Sequence, residues 1–166
     1  LTGHLVFSTL HTNDAASAVT RLIDMGIEPF LVTSSVIAII AQRLVRVLCP
    51  KCKEAYTPDD ESLVNLGIDK KQLDRHPLYR KRGCTACMNT GYRGRTAIFE
   101  ILILDDPLKR LILKTSDANQ IQDEAMKRGM TNLLADGARK VMAGVTTIEE
   151  VFRVTRILKR ENDLET

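Results

Sequence analysis

The 166-residue sequence contains no tryptophan, and aromatic residues make up only 4% of it. A surface that stacks unpaired bases needs such rings, so single-stranded nucleic acid is not an expected ligand. Charge of one sign is also scarce. The net charge is +3, too small to imply a nucleic-acid partner by itself. Long hydrophobic runs are missing as well. A membrane span needs roughly 20 unbroken apolar residues, and the best candidate, Phe30 to Leu48, is interrupted by Gln42, Arg43 and Arg46. No basic start precedes an apolar run and a cleavage site, so no signal peptide is expected. With cysteines spaced as for metal rather than for disulfides, this points to the cytoplasm. There is no initiator methionine. The chain opens Leu1-Thr2-Gly3-His4 and turns strand-like almost at once, so it is expected to come from the middle of a larger protein.

What is present is ordinary in bulk: 44% hydrophobic and 27% charged residues, the balance of a soluble globular protein with one domain or two small ones. His4 to Leu10 is short, apolar and rich in β-formers, which predicts a buried strand. Gly3 before it would end a preceding helix whose last trace is Leu1 and Thr2. Asn13 or Asp14 can cap a helix running to about Met25, stopped by Gly26. Pro29 suits the first turn of a second, longer helix through about Leu48, apolar nearly all round and therefore buried on several sides. From Cys49 to about Arg95 the chain is polar and broken by prolines and glycines, with one or two short helices expected between Pro58 and Gln72. Thr96 to Leu104 is a second strand signal. The remainder reads as helices: Pro107 to Lys114 behind Asp105 or Asp106, Asp117 to Arg128, Thr131 to Ala143, and a last one capped by Thr146 or Thr147 and ending near Val154. The tail from Lys159 to Thr166 is charged and expected to fray.

All four cysteines fall into two CxxC pairs, Cys49/Cys52 and Cys84/Cys87, and none is left over. Two residues between thiols let a tight turn aim both sulfurs at one ion. Two such turns complete a tetrahedral sulfur shell, which suits Zn²⁺. Four thiolates leave no open position, so the zinc is expected to be structural. Lys51, Lys53, Arg80, Lys81 and Arg82 flank the pairs and can offset the charge of the centre. The alternatives at this point are disulfides, unligated thiols or an iron–sulfur cluster, whose ligands are usually spaced differently.

His11 directly follows the first strand signal. In open α/β sheets ligands bind beyond the carboxyl ends of strands. An imidazole beside Ser8, Thr9, Thr12 and Asn13 can polarise a phosphate oxygen or orient a water. A capping or core histidine is the competing reading, and still more so for His4. A strand would hold the two rings roughly 20 Å apart, which argues against a shared metal. Arg43 and Arg46, placed late in a helix expected to be buried, must be paired or must reach a ligand. A structural ion pair and a phosphate contact both remain open.

The run TGHLVFSTLHTNDA resembles the histidine box of the secretion ATPases that drive type II secretion and type IV pilus assembly. The similarity continues through RLIDMGIEPFLVTSSV, AQRLVRVLCPKCK, GCTACMNTGYRGRTAIFEIL and GMTNLLADGARKVMAGVTTIEEVFRVTR, and covers essentially the whole chain. The paired CxxC separates it from the pilus-retraction ATPases, which resemble it in the histidine box but lack the cysteines. The resemblance implies an α/β chain made of the C-terminal part of a RecA-like ATPase domain (residues 1–48), an inserted Cys₄ zinc subdomain (49–95), a strand with a helical C-terminal subdomain (96–158) and a charged tail (159–166). It implies that His11 acts at the nucleotide γ-phosphate or its attacking water, with His4 as the first histidine of the box. Arg43, the arginine of the AQRL stretch, becomes a phosphate-sensing or subunit-contact residue. The family works as cytoplasmic homo-hexamers that bind ATP and Mg²⁺. They act with platform proteins at the inner membrane, without inserting in it and without nucleic acid. The phosphate loop G-x-x-x-x-G-K-[ST] does not occur in this sequence, so the chain is not expected to hydrolyse ATP alone. The competing reading is a zinc-binding interaction module with no ATPase role. Within the family, pilus extension is the alternative to type II secretion.

Overall fold

A computed structural model describes residues 3–73 and 77–155. The expected helix trace at Leu1–Thr2 and the charged tail Lys159–Thr166 lie outside the described residues. In chain order the elements are α1 (Ala15–Asp24), α2 (Pro29–Ser35), β1 (Ala38–Leu48), β2 (Glu54–Tyr56), α3 (Asp60–Leu66), α4 (Lys70–Leu73), β3 (Leu78–Arg80), a 3₁₀ turn (Thr85–Cys87), β4 (Tyr92–Ile103), α5 (Asp106–Ile112), α6 (Ala118–Lys127), α7 (Leu133–Met142) and α8 (Ile148–Thr155). Helices and strands are mixed, as expected for an α/β chain. β1 is hydrogen-bonded to β4, and β2 to β3. Among the described residues no helix is long and apolar enough to cross a membrane.

Two expectations are corrected. The predicted helix from Pro29 to Leu48 stops at Ser35, and an 11-residue strand, β1, takes the rest. Thr33 and Ser34 turn their hydroxyls onto the carbonyls of Phe30 and Leu31, which weakens a helix end. The β-branched set Val36, Ile37, Ile39, Ile40, Val45 and Val47 then favours extended backbone. Side chains alternate along β1, the even-numbered residues from Ala38 to Arg46 being the more exposed. An apolar run of this length fits either period, and pairing with β4 decides it. The predicted buried strand His4–Leu10 is neither buried nor in a sheet. Leu5, Val6 and Phe7 are 69%, 77% and 89% exposed, and neither two-stranded sheet includes them. β-propensity does not make a strand without a neighbour to satisfy its backbone groups.

Four of the remaining helices, α1, α5, α6 and α8, form where their caps place them. Asp14 accepts from Ser17 N at 2.7 Å, Asp105 from Leu108 N at 3.1 Å, and Asp117 from Asn119 N at 2.8 Å. Thr147 Oγ1 accepts from Glu150 N at 3.3 Å. Each such cap satisfies an N–H that helix geometry leaves without a partner.

The chain divides into two compact units, interleaved in sequence. Among the described residues, one unit contains those through Ala41 and Phe99–Asn132; the other contains those of Gln42–Ile98 and those from Leu133 onward. In the first, Ala15, Ala16 and Val19 of α1 pack with Val32, Leu102, Leu104, Leu108, Ile112, Ile121 and Ala125. In the second, Leu63, Leu66, Ile68 and Leu78 pack with Ala138, Val141, Ile148 and Val151 of α7 and α8. These last two helices therefore build the same core as the segment between the cysteine pairs. Their approach needs Gly137, since a Cβ there would stand 2.4 Å from Val151 Cγ1.

Candidate functional site

The cysteines come together because two turns are aimed at each other. Cys49 follows the end of β1, and a tight turn returns Cys52 N and Lys53 N to the Cys49 carbonyl at 3.3 and 3.1 Å. The chain then runs out through β2 and back through the antiparallel β3, in the register Glu54 to Arg80, Ala55 to Tyr79 and Tyr56 to Leu78. Glu54 holds this ribbon by accepting from Arg80 and Arg82. After β3 comes the 3₁₀ turn, with Cys87 N and Asn89 N on the Cys84 carbonyl at 3.2 and 2.9 Å. Cys49 N donates to the Gly91 carbonyl at 2.9 Å and ties the first turn to the second.

Two glycines that read in the sequence only as breakers have specific work here. A Cβ on Gly83 would lie 2.8 Å from the Asn89 carbonyl oxygen, and one on Gly91 would lie 2.5 Å from Lys81 Cβ. Both also hold positive φ, at +108° and +76°, where side chains are strained. Met88 and Asn89 take the left-handed region without that freedom, at φ 52° and 58°.

The result is a sulfur tetrahedron. All four Sγ atoms lie within 4.8 Å of one another. The Cys49–Cys84 edge is 4.0 Å, and the Cys52–Cys87 and Cys84–Cys87 edges are both 3.8 Å. A Zn–S bond of about 2.3 Å puts the corners of a regular tetrahedron about 3.8 Å apart, so the cage has the size of a Zn(Cys)₄ shell. A disulfide would need about 2.0 Å, and all four thiols are free.

The local field favours thiolate at one corner. Burial pushes Cys87 up, but N–H donors from Cys84 at 3.3 Å and Gly91 at 3.2 Å, with the neighbouring thiols, outweigh it and hold the group down to about 6. Burial pushes Cys52 up to about 11. Four of the five flanking cations expected to neutralise the cage have other partners. Arg80 and Arg82 are on Glu54. Lys53 donates to the Gly144 carbonyl and lies over Tyr79, and Lys81 lies over Tyr92. Backbone N–H groups take a share of the work the sequence assigned to lysine and arginine.

The other predicted residues are placed as follows. His4 and His11 are exposed and belong to the first unit. An exposed His11 is not a core histidine. Arg43 is half-buried on β1 in the second unit, the unit that holds the cysteines. Arg46 is a structural ion pair. Its guanidinium and its backbone N–H both reach Glu150, and it stacks 4.3 Å from the Tyr92 ring centre. Glu150 also accepts from Arg153. Burial raises the Glu150 carboxyl, but its arginine partners prevail and hold it down to about 2.

Sequence reasoning missed Glu150 and also Glu100, which is 2% exposed in β4. Glu100 Oε1 accepts from Ala15 N at 2.9 Å, and Oε2 from Gln122 Nε2 at 3.3 Å. The available signal was a lone acid among the apolar residues of TAIFEILIL.

Comparison with known proteins covers nearly the whole chain. The family model described as Type II/IV secretion system protein matches residues 1–153. Type II secretion system protein E of Pseudomonas aeruginosa is 53% identical over 156 residues, covering 94% of this chain and 30% of that protein. Type II secretion system ATPase E of Vibrio cholerae is 50% identical over 94% of the chain and 30% of its own length. Type IV pilus assembly ATPase PilB of Myxococcus xanthus is 49% identical over 91% of the chain and 27% of its own length. The chain thus spans less than a third of the length of these curated relatives.

Proposed function

The chain belongs to the type II/IV secretion system protein family, and we propose that it is the C-terminal portion of a motor ATPase that powers type II protein secretion by assembling a pseudopilus. The observation that carries this is the match of 94% of the chain, at about half identity, to proteins named Type II secretion system protein E and Type II secretion system ATPase E. The whole protein is a cytoplasmic homo-hexamer, peripheral at the inner membrane and working with platform proteins there. Its ATP-binding domain is RecA-like, and this chain supplies the later part of it. The phosphate loop and the residues that hold Mg²⁺ come from elsewhere in the protein, since this sequence has no G-x-x-x-x-G-K-[ST] run.

Within that machine the four cysteines hold one structural Zn²⁺. The size of the sulfur cage and the N–H donors at Cys87 support this. A closed Cys₄ shell contributes folding energy and offers no open position for chemistry. His11 is the catalytic contribution of this chain, orienting the attacking water or polarising the γ-phosphate, with His4 as its companion. Arg43 contacts nucleotide phosphate or the neighbouring subunit.

The test uses the full-length protein. His11→Ala is expected to slow ATP turnover per intact hexamer by roughly 10²-fold, the scale of a lost positioned donor or base. Nucleotide affinity should change much less. Normal turnover in an intact hexamer would remove the catalytic role. Deleting the gene decides the cargo: loss of protein export with pili intact supports secretion. Loss of pili with export intact favours the second reading, a pilus-extension ATPase, which the 49% identity to a PilB protein keeps in view. Loss of neither, with no ATP turnover, would leave a zinc-binding interaction module.

A further inference from the structure

We infer that Glu100 is a positioning residue that sets the loop carrying His11, acting through the first turn of α1. The inference rests on the proposed role of His11. The loop between His11 and α1 is short and partly tied within itself. Thr12 Oγ1 donates to the Asp14 carbonyl at 3.1 Å, and the Asp14 carboxylate caps Ser17 N. These local bonds hold the loop to the helix. Beside the packing of Ala15 and Ala16 with Leu102, the hydrogen bond to Glu100 is a directional tie between that helix start and β4, 85 residues away in sequence.

The choice of glutamate is costly, which is why it is informative. Ile98 and Leu102, on the same side of β4, are apolar and buried. A third apolar residue between them would build a core at less desolvation cost, as buried polar groups commonly show when replaced by hydrophobes. Gln122 adds to the cost. Its Nε2 serves Glu100, while its Oε1 is buried with no partner among the described residues. Ala15 is fully buried, so water cannot take over its N–H. A network that accepts an orphan acceptor to hold one carboxylate at one helix start is built for position. His11 is exposed, so burial does not fix the ring. Its placement follows from the backbone that leads into α1, and a shift of an ångström at a reacting group can cost up to about 10²-fold in rate.

The experiment uses the full-length protein with Glu100→Leu, Glu100→Gln and Gln122→Met, each alone and with His11→Ala. ATP turnover per intact hexamer, KM for ATP, thermal melting and hexamer mass are measured. Glu100→Leu should lower kcat about tenfold, and Gln122→Met about threefold, with KM for ATP changed less than about twofold. Glu100→Gln keeps an acceptor for Ala15 N and should recover most of the turnover that leucine loses. Gln122→Met removes the orphan oxygen, so its melting temperature should not fall. A purely structural Glu100 predicts the opposite for that variant: stability changes and turnover does not. In the His11→Ala background neither Glu100→Leu nor Gln122→Met should slow the enzyme further. Normal turnover in Gln122→Met, or an equal slowing by Glu100→Leu with and without His11, overturns the inference. If Glu100→Leu fails to fold, Gln122→Met decides alone. A slow His11→Ala with an unaffected Gln122→Met sinks the positioning role and leaves the proposed function standing. A fully active His11→Ala removes both.

Discussion

The two ends of the candidate chemistry are held in opposite ways. Around the cysteines, backbone geometry is overdetermined. Two glycines sit where any side chain would collide, two more residues take left-handed conformations, and N–H groups point at sulfur. The histidine segment runs over residues 3–11 without a sheet and is exposed throughout. It is anchored where it enters α1, through Asp14 and Glu100. The difference teaches where each kind of function draws its precision. A closed metal shell needs its ligands fixed by their own turns. Under the role proposed for His11, the ring is aimed from one end by that anchor.

The largest break in this comparison should come from the metal. Cys84→Ser, or zinc removal by a strong chelator, is expected to unfold the segment between Cys49 and Arg95, because a structural zinc contributes on the order of 10 kcal/mol of folding free energy. Hydrogen exchange should rise there and in α7 and α8, which share that core, and rise far less in α1, α5 and α6. Uniform exchange across the chain, or a folded protein with no zinc by metal analysis, would go against the zinc centre.

Gly91→Ala asks whether the turns matter apart from the ion. It meets Lys81 Cβ at 2.5 Å in a positive-φ conformation, so a loss of about 3 kcal/mol is expected. Retained stability in a chemical denaturation series would show that the turn relaxes freely.

Acid should separate the two units next. Glu150 is held at about 2 against an ordinary 4.5, and its side chain is 2% exposed. A depressed carboxyl stabilises the fold fully above its unfolded value. That stability is lost as the pH falls from about 4.5 through about 2. It amounts to on the order of 3 kcal/mol. The unit holding the cysteines should therefore lose protection in acid, and Glu150→Gln should flatten that dependence. An unchanged acid transition in the variant would assign the loss to other groups.

The smallest effect expected is in the other unit. Asp14→Ala removes one helix cap and should cost about 1 kcal/mol, with faster exchange in α1 and none of the zinc lost.

The sequence by itself determined what depends on near neighbours. The four sulfurs were legible from their spacing, because two residues between thiols define a turn. The caps were legible to within one residue (Asn13 or Asp14, Asp105 or Asp106, Asp117, Thr146 or Thr147), because an N-cap acts within three residues, and the folded chain selected Asp14, Asp105 and Thr147. β4 was legible in large part from its apolar, β-branched run. Tertiary structure decided the rest. Whether Ala38–Leu48 is helix or strand depended on β4 as a pairing partner, since an apolar run satisfies both periods. Whether His4–Leu10 forms a strand depended on a neighbour that neither sheet provides. The pairing of α7 and α8 with the core of the segment between the cysteine pairs, the contact of Arg46 with Glu150 across 104 residues, and that of Ala15 with Glu100 across 85 carry no local signal. A buried carboxylate declares that it needs partners, but only the folded chain selects the N–H and guanidinium groups that satisfy it.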